Sequence, residues 1–400
     1  MLAVSLLMTG FGSPTSAWGG EVPSLSSGGE EAVPVNVSVL DNGFPIRAFS
    51  VSLPPVDQAD VFMDFVANDL APAGINTLVI RVNWDYDFES HPELANPNGW
   101  NRRQAAKLAA LCREKGITLV PLINLLGHQS WAGKAGKLLQ VYPQFDEKPH
   151  VKLPQEYVWP NPDRLYCKSY CPNHPDVHAV VFDCVDEVVA AFEAKNFHAG
   201  LDEVFDLADI NCPRCGGLDP ARVFADEVNR IVAHLRPQGV RLWMWADRLL
   251  DGRPDASGFG EWSASLTNTH RAIDWIDRSV MMCDWHYRDA EPSAVYFAIK
   301  GFDVVTCGWE RPDITQLQLD DMLRFRQHSS KHLSKRFKGY MQTVWSSFGQ
   351  FLDEYRNGSD KEHCAAGNYR YFKSYLQRFS ASGAETSGAP ASESAPEFGI

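Results

Sequence analysis

The sequence predicts an α/β chain folded as one (β/α)8 TIM barrel, a single catalytic domain over residues 44–380. Two observations predict it: eight short apolar or β-branched runs recur along the chain, and amphipathic stretches separate most of them. A third excludes the main competitor, because neither G-x-G-x-x-G nor G-x-x-x-x-G-K-S/T occurs, and a doubly wound nucleotide-binding sheet needs such a turn. Parallel strands buried on both faces read as continuous apolar runs, and these mostly do.

Taken in order, the run at 46–53 is followed by a helical pattern at 60–70. The run at 77–84 leads to a helix at 102–115, and Gly116 sits where that helix should stop, just before the third run at 118–124. A long stretch, 129–175, separates this run from the helix at 177–194 and the fourth run at 197–201. Asp219-Pro220 opens the next helix, 219–235, with an N-cap acceptor followed by proline at the first helical position. Gly239 ends it and the fifth run, 241–245, follows. The last three runs are 280–285, 303–309 and 340–345, with helices expected at 290–299 and 317–333.

The ends read differently. Residues 1–19 have the apolar stretch and small residues of a signal peptide, with a cleavage site after Thr15-Ser16-Ala17, although the first Lys or Arg is Arg47 and a basic leader is missing. Export, periplasmic or extracellular, is the expectation. Residues 1–43 are expected to be signal-like and irregular, and 381–400, rich in Ala, Ser, Gly, Pro and Glu, to form a disordered low-complexity tail.

Four hundred residues would fit two or three domains at about 150 each, but α/β barrels exceed that size as one unit. Hydrophobic residues make 44% and charged residues 22%, and no apolar run past the N-terminus nears the ~18 residues of a membrane span. Lys and Arg number 37 against 50 Asp and Glu, a net charge of −13, so a nucleic-acid partner is not expected. Aromatic residues are abundant, with 12 Trp, 12 Tyr and 22 Phe, a composition that suits stacking on sugars as well as filling a core.

Nine cysteines cannot all pair within one chain. Cys112, Cys184, Cys283, Cys307 and Cys364 lie in apolar or helical contexts and read as core thiols. Cys167-x3-Cys171 and Cys212-x2-Cys215 are spaced for a structural zinc in a thiolate site, for disulfides between two loops, or for unpaired thiols. No H-E-x-x-H or similar array points to a catalytic metal.

In a barrel the active site lies at the C-terminal ends of the strands. Those ends are polar and aromatic: Asn83-Trp84-Asp85, Gly127-His128, Asp202-Glu203, Trp245-x-Asp247, Asp284-Trp285-His286-Tyr287, Trp309-Glu310 and Trp345-Ser346-Ser347. Five tryptophans converging on one rim around acids are what a pyranose pocket requires, since sugar C–H faces stack on rings and hydroxyls need polar partners. The sharpest stretch is Phe197-His-Ala-Gly-Leu-Asp202-Glu203. Adjacent carboxylates in a strand face opposite ways, so both serve one pocket only where the strand ends and the chain turns between them. Their mutual repulsion raises the pKa of one.

This stretch resembles the H-x-G-G-D-E motif of glycoside hydrolase family 20, the β-N-acetylhexosaminidases. The likeness extends over roughly 44–350: Gly116-Ile117 to Pro121 and Gly127-His128 look like the family's third strand and its P-G-H turn. Arg47 matches the sugar-binding arginine. Trp243-Met-Trp-Ala-Asp247, Trp285-His-Tyr287, Gly308-Trp309 and Val344-Trp345-Ser346 look like later strand ends, especially of the hexosaminidase D-like branch, which lacks the small α/β domain that usually precedes the barrel.

The resemblance implies a retaining hydrolase that removes β-linked N-acetylhexosamine from a glycan, with the substrate's 2-acetamido oxygen as nucleophile and no cofactor. Glu203 would be the acid/base and Asp202 would orient the acetamido N–H and stabilise its developing positive charge. Tyr287 would donate to the acetamido oxygen. Trp245, Trp285 and Trp345 would wall the sugar, with Trp309 either wall or core, while Arg47 would hold ring hydroxyls. His128 and His198 read either as hydrogen-bond partners of the acids or as buried, satisfied histidines. Asp284 is a further substrate-binding candidate at its strand end. Two substitutions depart from the family pattern: Leu201 replaces the second Gly, and Ser347 stands where many members carry a Glu that holds the terminal sugar. Two rival readings stay open: another glycosidase using a conventional pair, Glu203 with Asp284, Glu310 or Asp247, and a glycan-binding barrel without catalysis. The stretch 129–175 is expected to be a lid or wall of the cleft, or a surface extension stapled by cysteines.

Overall fold

The computed structural model describes residues 35–386, apart from Ala132, Tyr157 and Arg164. The signal-like residues 1–34 and the tail from 387 onward lie outside the described residues.

Eight parallel strands close into a barrel: β1 Ile46–Ser52, β2 Thr77–Arg81, β3 Thr118–Leu125, β4 Asn196–Gly200, β5 Arg241–Trp245, β6 Met281–Trp285, β7 Asp303–Gly308 and β8 Phe337–Thr343. Each strand pairs with its neighbours in sequence, and β8 closes on β1 with Ile46 opposite Gly339 and Ser50 opposite Thr343. The described residues fall in one compact unit. No described helix is long and apolar enough to cross a membrane.

Strand parity divides the core in two. One set of strand residues, Ala48, Val79, Val120, Leu122, Trp243, Trp245, Met281, Cys283, Val305, Cys307 and Met341, fills the barrel interior. The alternate residues, such as Phe49, Val51, Leu78, Ile80, Met282 and Val304, pack against the surrounding helices. Both faces of the strands are thus apolar, so the strands read as unbroken apolar runs.

The helices lie close to their sequence signals. Arg102–Glu114 opens on a capping box, Asn101 with Gln104, and Pro220–Leu235 on the Asp219 side chain accepting from Ala221 N–H. Gly116 and Gly239 adopt φ of +68° each, the left-handed turn that lets a helix stop and a strand start. Four helices depart from the sequence expectation. Pro312–His328 starts and stops five residues ahead of the expected 317–333, opening on a proline at its first turn. Val37–Gly43 is helical inside the segment read as irregular, capped by Asn36. Phe348–Asn357 and Ala365–Thr386 follow the last strand, the latter running six residues past position 380. Val37–Gly43 and Ala365–Thr386 pack together, with Phe44 meeting Phe379 edge to face at 5.4 Å.

Stretch 129–175 is not structureless. It holds a two-strand hairpin, Ser130–Trp131 with Lys134–Ala135, a short helix Lys137–Val141 and a bridge between Asp146 and Tyr170.

Candidate active site

The acid pair sits where β4 ends. Gly200 has φ +69°, and a Cβ there would lie 2.2 Å from Asn124 Oδ1, so only glycine lets β4 approach β3 this closely. Leu201 and Glu203 also have positive φ, +71° and +49°. Left-handed backbone at a non-glycine residue costs about 1–3 kcal/mol and persists only where the surroundings impose it. The consequence is the turn that brings successive carboxylates to one side. Leu201 therefore occupies a position that favours glycine, which explains why the motif carries glycine there.

Gly127 lets the β3 loop close on this turn, with its missing Cβ only 3.0 Å from Val204 and 3.2 Å from Asp202 O. His128, next along, is also left-handed at φ +55°. Its Nε2 lies 3.2 Å from Asp202 Oδ2 and 3.5 Å from Glu203 Oε2, and its Nδ1 lies 3.7 Å from Cys167 Sγ. Burial opposes charge on His128, but the Asp202 carboxylate outweighs it and holds the imidazole pKa well above the usual value. The same pairing, against burial, holds Asp202 below its usual range. Glu203 goes the other way: burial, with the charges of Asp202 and Asp247, pushes it up to about 7 although His128 and a Tyr166 hydrogen bond pull it down. One carboxylate is thus set to be ionised and its neighbour to carry a proton near neutral pH.

Asp247 holds the backbone of this pair. Its Oδ2 accepts from Glu203 N–H at 3.0 Å and from Arg248 Nε at 2.6 Å, and its Oδ1 accepts from Trp285 Nε1 at 3.4 Å. With these donors on both oxygens, Asp247 is a positioning acceptor rather than a free nucleophile.

Four rim tryptophans do meet. Trp245 and Trp345 lie 5.7 Å apart, Trp285 stacks on Tyr287 at 5.0 Å, and Tyr287 meets Trp309 at 5.5 Å. Trp345 Nε1 donates to Tyr287 OH at 3.0 Å. Trp309 also packs on the helix-side core, so it is both wall and core. Trp84 does not join the rim, because it packs against Phe88 in the helix layer. His198 is buried, its ring tilted 54° against Trp245 at 4.6 Å, with its Nδ1 accepting from Gly200 N–H.

Three expected site residues lie elsewhere. Arg47 is on the outward face of β1 and at its N-terminal end, where it donates to Gly74 O, Phe44 O and Asp41. It is on the wrong face and at the wrong end for the mouth, and it pins the first helix to the barrel floor. Asp284 also faces outward, accepting from Ser293 Oγ at 2.7 Å and pairing with His286 at 3.4 Å. Cys167 leaves the cysteine cluster for His128, and Glu147 takes its place beside Cys171, Cys212 and Cys215.

Two pocket residues were missed. Arg81 shares interior parity with Val79 and ends β2, so it reaches the mouth; it donates to Ser52 Oγ and Val344 O and lies over the Trp345 ring at 4.6 Å. Burial lowers its pKa to about 10, with Tyr287 and Asp202 opposing. Strand parity alone would have found it. Tyr166, from the long loop, bonds Glu203 and packs with Phe205, Trp262 and Trp159 at 4.9–6.3 Å. Beside this cluster a cavity of about 480 Å³ is lined by Trp159, Phe205 and Arg248 among others.

Ser347, at the position of the family's glutamate, instead caps the helix Phe348–Asn357 by accepting from Gln350 N–H at 3.2 Å.

Among solved structures the fold is similar to a chitobiase of Flavobacterium johnsoniae (TM-score 0.56, 15% identity, 85% of this chain and 52% of that one). It is similar also to a β-N-acetylhexosaminidase of Bacteroides fragilis (0.56, 14%, 84% and 65%). A third is an exo β-N-acetylglucosaminidase of Vibrio harveyi in complex with N-acetylglucosamine (0.55, 14%, 84% and 58%). The chain thus spans between about half and two thirds of the length of these proteins, and at such identities the likeness carries the fold alone. No curated protein sequence matches. Residues 82–351 match the catalytic domain of glycosyl hydrolase family 20, and with more than half its length in that match the chain belongs to this family.

Proposed function

We propose that the chain is a retaining β-N-acetylhexosaminidase acting on a glycan with a terminal N-acetylhexosamine by substrate-assisted catalysis. The observation that carries the reading is the unequal acid pair: Asp202, ionised against His128, beside Glu203, protonated up to about 7. In the first step the 2-acetamido oxygen attacks the anomeric carbon while Glu203 gives its proton to the departing glycosidic oxygen, leaving an oxazolinium ion. Asp202 accepts from the acetamido N–H and offsets the positive charge there. Water then attacks the anomeric carbon, Glu203 takes its proton, and the acetamido group is restored. Each group that changes protonation belongs to the chain, the glycan or the attacking water, so family members need no cofactor for this chemistry.

Trp245, Trp285, Trp345 and Trp309 would wall the sugar and its acetamido group, and Tyr287 would donate to the acetamido oxygen. Arg81 replaces Arg47 as the cation at the mouth. The cavity beside Phe205 and Arg248 would receive the leaving group, since Arg248 grips the same Asp247 that holds Glu203. A conventional pairing of Glu203 with Asp284 or Asp247 finds no support, because Asp284 faces the helix layer and Asp247 is held by three donors. Export remains a proposal that rests on residues 1–19. A structural zinc, one of the three readings the cysteine spacing leaves open, also belongs here as a proposal, as an ion outside the reaction. Turnover of a chromogenic β-N-acetylglucosaminide by pure protein tests the activity; hydrolysis of a plain β-glucoside in its place would overturn it.

A further inference from the structure

Glu147, Cys171, Cys212 and Cys215 bring one ligand atom each to within 4.8 Å of one another, and all four side chains are buried. Cys171 Sγ lies 3.5 Å from Cys212 Sγ and 3.7 Å from Cys215 Sγ. In a tetrahedral thiolate site, zinc–sulfur bonds of about 2.3 Å separate the sulfurs by about 3.8 Å, whereas a disulfide needs about 2.05 Å. The Glu147 carboxylate closes the fourth side, 3.3 Å from Cys212 Sγ and 2.7 Å from Cys215 Sγ.

The backbone is arranged as a metal knuckle requires. Gly216 N–H returns to Cys212 O at 3.0 Å, and a Cβ on Gly216 would lie 2.5 Å from that same carbonyl, so Cys-Pro-Arg-Cys-Gly closes only with glycine at its end. Glu147 is oriented from behind, its Oε1 accepting from Asp209 N–H at 3.1 Å, as ligand carboxylates are in metal sites. Protonated thiols are buried at little cost, but the thiolates and carboxylate that a metal binds are stable in this buried setting only with a counter-charge among them. The two buried lysines of this loop are committed elsewhere, Lys148 to Asp206 and Lys168 to Asp146.

We propose that Glu147, Cys171, Cys212 and Cys215 form a closed, structural Zn2+ site that clamps the wall loop 129–175 to the loop following the catalytic pair. Soft thiolates with one carboxylate in a four-ligand set select zinc over calcium or magnesium. No ligand position is left open, so the ion takes no part in the reaction. Its effect on the site is positional: Cys171 shares a loop with Tyr166 and Cys167, which touch Glu203 and His128, and Cys212 follows Glu203 and Phe205 in chain order. This role rests on the hexosaminidase reading, but the metal itself does not.

The test is metal content of the full chain, expressed with added zinc and passed through metal-free gel filtration. One zinc per chain is expected, released stoichiometrically when a mercurial titrates the thiols. Replacement by Co2+ should give thiolate charge-transfer absorption with the visible bands of tetrahedral cobalt. Cys167→Ser should retain the metal, and Cys212→Ser with Cys215→Ser should lose it; wild-type titration keeps the question decidable if the double variant fails to fold. Zinc far below one per chain, six-coordinate cobalt spectra, or a disulfide between Cys171 and Cys212 or Cys215 in the mass spectrum would overturn the proposal. None of these readouts depends on turnover, so failure of the metal site and failure of the activity are seen separately.

Discussion

His128 Nε2 contacts both members of the acid pair, at 3.2 Å from Asp202 and 3.5 Å from Glu203, so a single imidazolium sets both carboxylates. Its charge lowers each of them, yet Asp202 ends below its usual range and Glu203 above it. For Glu203 burial, with the charges of Asp202 and Asp247, outweighs the imidazolium, whereas for Asp202 the His128 pairing outweighs burial.

Glu203→Gln should lower kcat on substrates with poor leaving groups by about 10²–10⁴-fold, the range of a lost general acid. Substrates whose leaving group departs unprotonated should suffer much less in the first step. A steady-state comparison of the two substrate classes checks this, and equal loss on both would contradict the acid role.

Asp202→Asn should cost about 10²–10³-fold in kcat, comparable to removing one electrostatic stabiliser, and should weaken thiazoline-type inhibitors. The inhibition constant is the decisive measurement, since a merely structural defect would lower the active fraction without changing it.

The activity should fall as pH rises through about 7, because Glu203 must be protonated to act as the acid. The acidic limb lies below the usual aspartate value, where Asp202 gains its proton. His128→Gln removes a charge that lowers Glu203, so the alkaline limb should move to higher pH; a kcat/KM profile reads the shift. In stability the His128–Asp202 pair works from both ends. His128 is raised, so its contribution is full below its unfolded pKa and is lost as pH climbs through the folded value. Asp202 is lowered, so its contribution is present above its unfolded pKa and is lost as pH falls through the folded one.

Arg47 and Arg81 should separate stability from binding. Arg47→Leu leaves Gly74 O and Phe44 O without their donor and should cost roughly 1–3 kcal/mol of stability, read as a fall in denaturation midpoint with KM unchanged. Arg81→Leu removes the cation over Trp345 and should raise KM or lower kcat in protein that still folds.

Trp345→Ala, at a half-open rim position, should lower kcat/KM by about tenfold or more while leaving the melting temperature nearly intact, as expected where a ring mainly meets ligand. Trp245→Ala should behave differently, because that ring is buried in the barrel interior and its removal should cost about 3–5 kcal/mol. Thermal denaturation beside kinetics distinguishes them.

The barrel was legible because it rests on local signals. Buried parallel strands need continuous apolar runs, and helices need caps and stops, so 241–245 matched to the residue and most other strands to within one or two. Asp202 and Glu203 were legible because their turn sits on a recognisable motif. The terminal helices were not, since Phe348–Asn357 and Ala365–Thr386 follow the last strand with no further strand to frame them.

Local pattern along the chain is enough to locate the strands and to say which strand ends carry acids and rings. Tertiary structure decided the rest. A barrel position is useful only at one end and on one face of its strand, so Arg47 and Asp284 fall out of the pocket while Arg81 enters it. Likewise, spacing grouped Cys167 with Cys171, but the fold of a long loop sends Cys167 to His128 and brings Glu147 to the other three cysteines. Ligand sets and pockets are assembled from segments far apart in the chain, and only their packing fixes which side chains meet.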